Sequence, residues 1–218
     1  MADRVVPVRF VPLTPARLAA DLAGWINGLD LARPRIGIDG PAEIGTAELA
    51  DAIAAELPPL GRSAVRVSTV WWWRPASLRL EFGKTDVDML LSGWVDNAAL
   101  RRELFDPLGP GGTGRYLRRL RDPLTDRSVR EDRMQANDQA VLLLDGPFLR
   151  AGGLPLDAIV HLQVSAGTLA RSLAPDRQWW LPAFDRYLGE DQPVKSAAVV
   201  VAYDHPAAPA VSWAGRPS

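Results

Sequence analysis

The sequence predicts an α/β fold in which helices cover both faces of a mostly parallel, five-stranded sheet, giving a three-layer αβα sandwich. Five short apolar runs are predicted to be strands: 35–39, 64–70, 140–144, 158–164 and 197–202. Several of them are apolar at nearly every position, which is typical of strands buried on both faces of a parallel sheet. Segments with helical spacing separate the strands, and this alternation is the pattern of an α/β domain.

The chain has the length of one large domain with an appendage. It contains 218 residues, with 25 basic and 26 acidic side chains, no cysteine and a formal charge of -1. Domains average roughly 150 residues, so we do not expect two full domains. The absence of cysteine excludes a disulfide scaffold, a cysteine nucleophile and a zinc–thiolate cluster.

Charge and hydropathy restrict the partners. A net charge close to zero gives no long-range attraction to nucleic acid or to an anionic membrane surface, so neither is expected as a partner. No apolar run reaches the roughly 20 residues of a membrane span, and the first residues, MADRVVPVRF, lack a signal-peptide core. We therefore expect a cytoplasmic protein. The sequence leaves the oligomeric state open, a homo-oligomer included.

A helix is predicted over 15–26, ahead of the main domain. Thr14 can cap its N-terminus, and Pro15 suits the first helical position because it has no N–H group to leave unpaired. We assign residues 1–32 to an N-terminal helical extension and residues 33–218 to the main domain.

Further helices follow the strands. One is predicted over 46–57, where two prolines stop it. Asn97 is predicted to cap a helix that ends before Pro107, and Ser165 to cap a short helix after the fourth strand. A last helix is predicted over 182–188.

The loop between the first strand and the 46–57 helix has the spacing of a phosphate-binding loop. In the pattern G-x-x-x-x-G-K-S/T, backbone N–H groups cradle phosphates, while the Lys and the hydroxyl serve the terminal phosphates and Mg²⁺. Here the sequence is GPAEIGTA: Gly40 and Gly45 fit, but Thr46 stands at the Lys position and Ala47 at the hydroxyl position. Asp39, directly before the loop, is expected to fix its hydrogen bonds. The two glycines alone are equally compatible with an ordinary structural turn.

Longer segments of the chain resemble a known family. In order, these are RPRIGIDGPAEIGTAELADAIAAEL, WWWRPASLRLEFG, LRRELFDPLGPGGTGRY, DPLTDR and AVLLLDGPFL. From about Arg33 to Pro209 the chain resembles bacterial uridine kinase-like proteins of the P-loop nucleoside kinase group. The resemblance implies the P-loop NTPase type of αβα sandwich, with ATP over the loop at 40–47 and a nucleoside in a cleft beside the second strand.

The departures from this family concern the residues of phosphoryl transfer. The family's active members carry the loop Lys, the loop Ser/Thr and an acid after the second strand that accepts the nucleoside hydroxyl proton. Thr46 and Ala47 replace the first two, and Val70 or Trp71 replaces the acid. Glu43 also places a negative charge where a phosphate would approach. The resemblance therefore implies ATP and Mg²⁺ as cofactors, bound weakly or not at all.

Three residues are candidate replacements for the missing groups. Asp145 ends the VLLLDG strand beside the loop, where it could hold a metal-bound water or serve only as a turn residue. Lys84 is one of only two lysines and lies where the family binds substrate, although a surface lysine is the alternative. Thr46 keeps a hydroxyl that a small shift of loop register would bring to Mg²⁺. No set of protein metal ligands is predicted.

The resemblance also implies ligand contacts. Arg171 and Arg177 match the lid that supplies cations to ATP, with solvated surface arginines as the alternative. Trp72, Trp73 and Arg74 resemble the family's substrate segment, in which an indole could stack on a nucleobase or could pack in the core. The predicted nucleotide-binding residues are Gly40, Pro41, Ala42, Glu43, Ile44, Gly45, Thr46, Ala47, Arg171 and Arg177.

Three functions are compatible with these observations. The first is a nucleoside kinase-like protein with little or no phosphoryl transfer, retained as a nucleotide- or nucleoside-binding or regulatory module. The second is an active ATP-dependent nucleoside kinase that uses unconventional residues. The third is a protein-interaction module that binds its partner through the tryptophans at 71–73.

Overall fold

A computed structural model describes residues 10–214 of the chain. Within this range the strands are β1 (Val11–Pro12), β2 (Arg35–Asp39), β3 (Ser63–Ser68), β4 (Arg115–Tyr116), β5 (Arg121–Asp122), β6 (Arg127–Ser128), β7 (Met134–Gln135), β8 (Ala140–Gly146), β9 (Ala158–Gln163), β10 (Val199–Ala202) and β11 (Ala210–Trp213). The α-helices are α1 (Pro15–Asn27), α2 (Thr46–Glu56), α3 (Ala76–Arg79), α4 (Asn97–Leu100), α5 (Asp106–Leu108), α6 (Ala166–Ser172), α7 (Leu181–Glu190) and α8 (Pro193–Ser196).

The central sheet has seven strands in the order β1-β11-β10-β9-β2-β8-β3. The five strands from β10 to β3 pair in parallel, and they are the five predicted from the sequence. The prediction of five strands omitted β11 and β1, which add to the edge in antiparallel pairing. Their short runs carry no strong strand pattern, and each takes its place by pairing with a neighbour, β11 with β10 and β1 with β11.

The sheet buries a different apolar cluster on each face. On one face, Ile36 and Ile38 of β2 pack with the apolar sides of α1 and α2. On the other face, Leu142 and Leu144 of β8 pack with the helical segment at 97–108. The opposite faces follow from the alternation of side chains along each strand.

Helix α1 is part of this main core. The helix begins at the predicted residue, and the Thr14 side chain caps it by accepting a hydrogen bond from the N–H of Arg17. Its buried side chains lie in the same cluster as β2, and the helix packs along α2. No helix in the described part of the chain is long and apolar enough to cross a bilayer.

The helical segment at 97–108 differs from its prediction at both ends. Asp96, not Asn97, is the capping side chain, since its carboxylate accepts from the N–H of Ala99 at 2.9 Å. The segment runs past Pro107 to Leu108, after a π-helical turn at Arg101–Phe105. A π turn changes the hydrogen-bond register ahead of the proline, which cannot donate an N–H itself.

A buried hydrogen-bond network lies at the carboxyl end of β2. Asp39 Oδ2 is 2.7 Å from Nδ1 of His161 and accepts a hydrogen bond from the Tyr187 hydroxyl at 2.9 Å. Its Oδ1 accepts from the N–H of Leu149 at 3.0 Å. Asp39 therefore ties β2 to β9, α7 and the segment after β8. The prediction that it bonds the loop at 40–47 is corrected, because its oxygens turn toward these other elements.

Removing the hydroxyl of Tyr187 should destabilise the fold. The hydroxyl donates to a buried carboxylate and also accepts from the N–H of Arg150, so Tyr187→Phe removes one hydrogen bond of Asp39 and the acceptor of that N–H. We expect the free energy of unfolding to fall by about 1.5–3 kcal/mol, measured by urea denaturation. Tyr116→Phe is the matched control, because that buried hydroxyl meets only the Met134 sulfur at 3.7 Å. Equal losses in the two variants would contradict the role given to the network.

Candidate functional site

The loop at 40–47 connects the central strand β2 to helix α2. It leaves β2 at Gly40, makes a short 3₁₀ turn over Ala42–Ile44 and enters α2 through Gly45. Gly45 has φ +98°, which favours glycine, and a Cβ at Gly40 would lie 3.1 Å from the Cβ of Leu162. The two glycines are thus needed for the turn and for close packing of the loop on β9.

Thr46 does not present its hydroxyl to the outside of the loop. The residue is completely buried, and its Oγ1 has no hydrogen-bond partner among the described residues. The register shift that would bring this hydroxyl to Mg²⁺ stays a prediction.

An acidic side chain of the loop is paired with a cation from the segment after α6. Oε1 of Glu43 accepts a hydrogen bond from Arg177 at 2.7 Å, while its Oε2 is buried and has no partner among residues 10–214. The N–H groups of Ile44 and Gly45 donate hydrogen bonds to the carbonyls of Pro41 and Ala42 in the same loop. The loop thus directs a carboxylate toward the arginine that was predicted to contact nucleotide.

The other predicted cation of that segment lies apart from the loop carboxylate. Arg171 is exposed on α6, and its guanidinium bonds the Thr168 hydroxyl at 3.1 Å. Of the two arginines assigned to the lid, only Arg177 has a described contact with the loop.

Arg66 of β3 joins the strand ends to the beginning of α2. Its guanidinium donates to Asp145 at 2.9 Å and to the carbonyl of Leu143 at 3.1 Å, both on β8. It also donates to Asp51 at 2.7 Å and to the carbonyl of Ala47 at 3.2 Å, both on α2. The positive charge is therefore held between the end of the loop and the buried acid of the VLLLDG strand.

A cleft of about 320 Å³ opens beside this guanidinium. Ala47, Arg66, Ser68 and Asp145 line its inner end, together with Val67. The outer wall is formed by Trp71 and by Arg118 and Arg119 of the segment between β4 and β5. The cleft lies at the carboxyl end of β3 and β8, the edge of a parallel sheet where α/β proteins bind ligands.

The tryptophans predicted to bind substrate pack against other side chains. Trp72 is completely buried, so it presents no face to a ligand. Trp73 stacks against Trp94 and Trp180 at 5.2 and 6.5 Å between ring centroids, with the Arg79 guanidinium 5.0 Å from its ring centre. The cavity beside this cluster measures about 30 Å³, too small for a nucleobase.

The remaining candidates lie outside the cleft. Lys84 is exposed in the segment after α3, and it is not among the residues that line the two cavities described above. Arg74 bonds through its backbone, with its N–H donated to the carbonyl of Trp94. The structure brings Ala47 and Asp145 together in the cleft but not Lys84.

Solved structures share the overall fold of this chain. A possible uridine kinase from Bacillus stearothermophilus superposes with a TM-score of 0.68 at 22% identity, covering 84% of this chain and 97% of that one. This chain has the P-loop kinase fold. The protein YGR205w superposes with a TM-score of 0.57 at 11% identity, covering 92% and 99% of the two chains. No protein-family model and no curated protein matches the sequence.

The P-loop kinase fold implies Mg²⁺ between the loop and the acid that ends β8, and the residues at that place do not fit the ion. Mg²⁺ requires oxygen ligands. Ala47 has no side-chain oxygen, and the Oδ1 of Asp145 already accepts from Arg66. Among residues 10–214, no three acidic or histidine side chains are grouped to hold a metal. The guanidinium of Arg66 lies beside this carboxylate, where it donates to Oδ1 of Asp145 at 2.9 Å.

The sequence pattern did not predict the role of Arg66 or the position of Arg118 and Arg119 at the same cleft. Arg66 alternates with valines in a strand whose neighbouring positions are buried, and a charged residue there needs an acidic partner. That need is the signal that could have connected Arg66 to Asp145. Arg118 and Arg119 lie in an irregular segment between β4 and β5. Its sequence has no helical or strand periodicity, so the pattern could not predict that their side chains reach the cleft.

The pKa of Asp145 depends on two opposing effects, burial of the carboxyl group and the charge of Arg66. Burial is the main cause that raises the pKa of Asp145 above its ordinary value, and the charge of Arg66 opposes the rise. A raised carboxyl pKa means that the folded state binds the proton more tightly than the unfolded chain, so this group costs stability as pH rises through its folded pKa.

Replacing Asp145 by Asn should remove that pH-dependent cost. We expect the free energy of unfolding of Asp145→Asn, relative to the natural protein, to increase from about pH 4 toward neutral pH. Urea denaturation of both proteins at a series of pH values measures this difference. A relative stability that falls over the same range would mean that the Arg66 ion pair outweighs burial.

Proposed function

We propose that this P-loop kinase-fold protein does not catalyse ATP-dependent phosphoryl transfer at a useful rate and acts as a binding or regulatory module for a nucleotide- or nucleoside-like small molecule. The observation that carries the proposal is the pair of internal contacts at the phosphate site. Glu43 is paired with Arg177 across the loop, and Arg66 is paired with Asp145 beside it.

The Glu43 carboxylate opposes nucleotide binding. A triphosphate over the loop would bring several negative charges close to a carboxylate that is half-buried, where solvent screening is reduced. It would also have to compete with Glu43 for Arg177. The Glu43 carboxylate is thus already bound to Arg177, the side chain that a nucleotide phosphate would otherwise bind.

The groups that stabilise a transferring phosphoryl group are also replaced. Phosphoryl transfer depends on positioning and on cations placed against the developing charge. Loss of one such preorganised group commonly costs about 3–4 kcal/mol of transition-state stabilisation. Here the loop has no Lys, Ala47 offers no metal ligand, and Asp145 is bound to a guanidinium. The shared fold and the open cleft support a retained binding role.

Glu43→Gln should improve ATP binding. The variant removes the negative charge at constant size, so we expect a rise in thermal midpoint with about 5 mM Mg²⁺·ATP that the natural protein does not show. A ligand at 100 times its Kd contributes about 2.7 kcal/mol, which a thermal-shift assay detects easily. Neither protein should release ADP in the presence of a panel of nucleosides.

Arg177→Gln is the matched control, because it breaks the same ion pair and leaves the carboxylate in the loop. We expect no gain of ATP binding in this variant. Mg²⁺-dependent ADP release by the natural protein with any nucleoside would overturn the proposal. So would strong ATP binding that Glu43→Gln leaves unchanged.

A further inference from the structure

We propose that the cleft beside Arg66 binds a phosphate monoester of a small molecule, and that it does so without a divalent cation. The ligand class follows from the shape of the cleft, from its charge and from the way its cations are held. Nothing in this inference depends on an ATP site.

The size of the cleft suits a small ligand. Its volume of about 320 Å³ lies at the lower end of the range for small-molecule sites. It is bounded by β3, the beginning of α2 and the segment that carries Arg118 and Arg119, and it is open to solvent. Its small volume favours a compact monoester over a nucleic acid strand.

The lining of the cleft contains three arginines and one acid. Arg66, Arg118 and Arg119 line it with Asp145, and Arg66 also pairs with Asp51, which lies outside the lining. Arg118 and Arg119 share one further carboxylate, Glu131, which lies 3.6 Å from Arg118 and is hydrogen-bonded by Arg119. Two guanidinium groups with one acid between them keep positive charge for an added anion.

The arginines of the outer wall are positioned by contacts and yet accessible. The guanidinium of Arg119 lies 4.8 Å from the ring centre of Trp71, a cation–π contact that holds its plane against the cleft wall. The side chains of Arg118 and Arg119 remain 46% and 33% exposed. A guanidinium can bind two phosphate oxygens side by side, which lysine cannot do.

Arg66 supplies the charge that a metal would supply in a P-loop kinase. Four hydrogen bonds fix its guanidinium at the inner end of the cleft. A planar guanidinium has five N–H donors, so one donor remains for a ligand oxygen. Because this cation is covalently part of the chain, an anion bound beside it needs no Mg²⁺.

The test is calorimetric titration in the presence of EDTA. The probes are inorganic phosphate, a nucleoside monophosphate and a hexose phosphate, with the uncharged nucleoside for comparison. We expect a monoester to bind more tightly than inorganic phosphate, and the uncharged nucleoside to give no heat. Binding of inorganic phosphate alone, binding that requires added Mg²⁺, or no binding to any probe would overturn the proposal.

Two double variants distinguish binding in the cleft from a general effect of positive surface charge. Arg118→Ala/Arg119→Ala should weaken monoester binding by about tenfold or more, which corresponds to about 1.4 kcal/mol. The matched control is Arg115→Ala/Arg127→Ala, which removes the same charge from exposed residues of the neighbouring ribbons and should leave affinity within about twofold. Equal losses in the two double variants would contradict a specific site.

Glu131→Gln should increase the affinity for a monoester, a result that cannot come from misfolding because misfolding would reduce binding. It removes the carboxylate that competes for Arg118 and Arg119, so monoester affinity should rise about threefold or more. Unchanged or weaker binding would count against the cleft. Calorimetry tests the monoester site, and ADP release tests the proposed lack of phosphoryl transfer. Either proposal can therefore be wrong while the other holds.

Discussion

The ion pair between Arg66 and Asp145 is the interaction on which the candidate site depends. It joins β3 to β8 at the carboxyl edge of the sheet, and further hydrogen bonds of the same guanidinium fasten α2 through Asp51 and the carbonyl of Ala47. Burial disfavours the ionised form of Asp145, and the charge of Arg66 offsets part of that cost. The same contact occupies Oδ1 of Asp145 with a side chain of the protein itself.

The phosphate loop shows the same change from an external ligand to an internal partner. Its two glycines have the spacing of the phosphate-binding pattern, while Glu43 of the loop pairs with Arg177. Under the proposed function, the chain keeps the P-loop kinase fold without its phosphoryl transfer. The backbone that presents the site is kept because it also builds the core, with Gly40 packed on Leu162, whereas the charges around the loop are satisfied within the chain.

The sequence predicted the five parallel strands because their apolar runs determine both position and burial. The same pattern could not assign the tryptophans, since Trp72 in the core and Trp71 at the cleft differ by one residue and by the direction of a side chain. Nor could it pair Asp39 with His161, or Arg66 with Asp145, because these contacts arise from the register of strands far apart in the chain. The hydrogen bonds and charges of the candidate site therefore depend on residue pairs that are far apart in the sequence and meet only in the folded sheet.

Water-proton relaxation with Mn²⁺ as the probe ion shows whether this protein binds a metal–nucleotide complex, because Mn²⁺ takes the oxygen ligands of Mg²⁺ and reports its own binding. We expect that adding the protein to Mn²⁺·ATP leaves the relaxation rate at the value of Mn²⁺·ATP alone, since Arg66 already occupies Oδ1 of Asp145. A protein-dependent enhancement that Asp145→Asn abolishes would contradict it, because the carboxylate would then be a metal ligand.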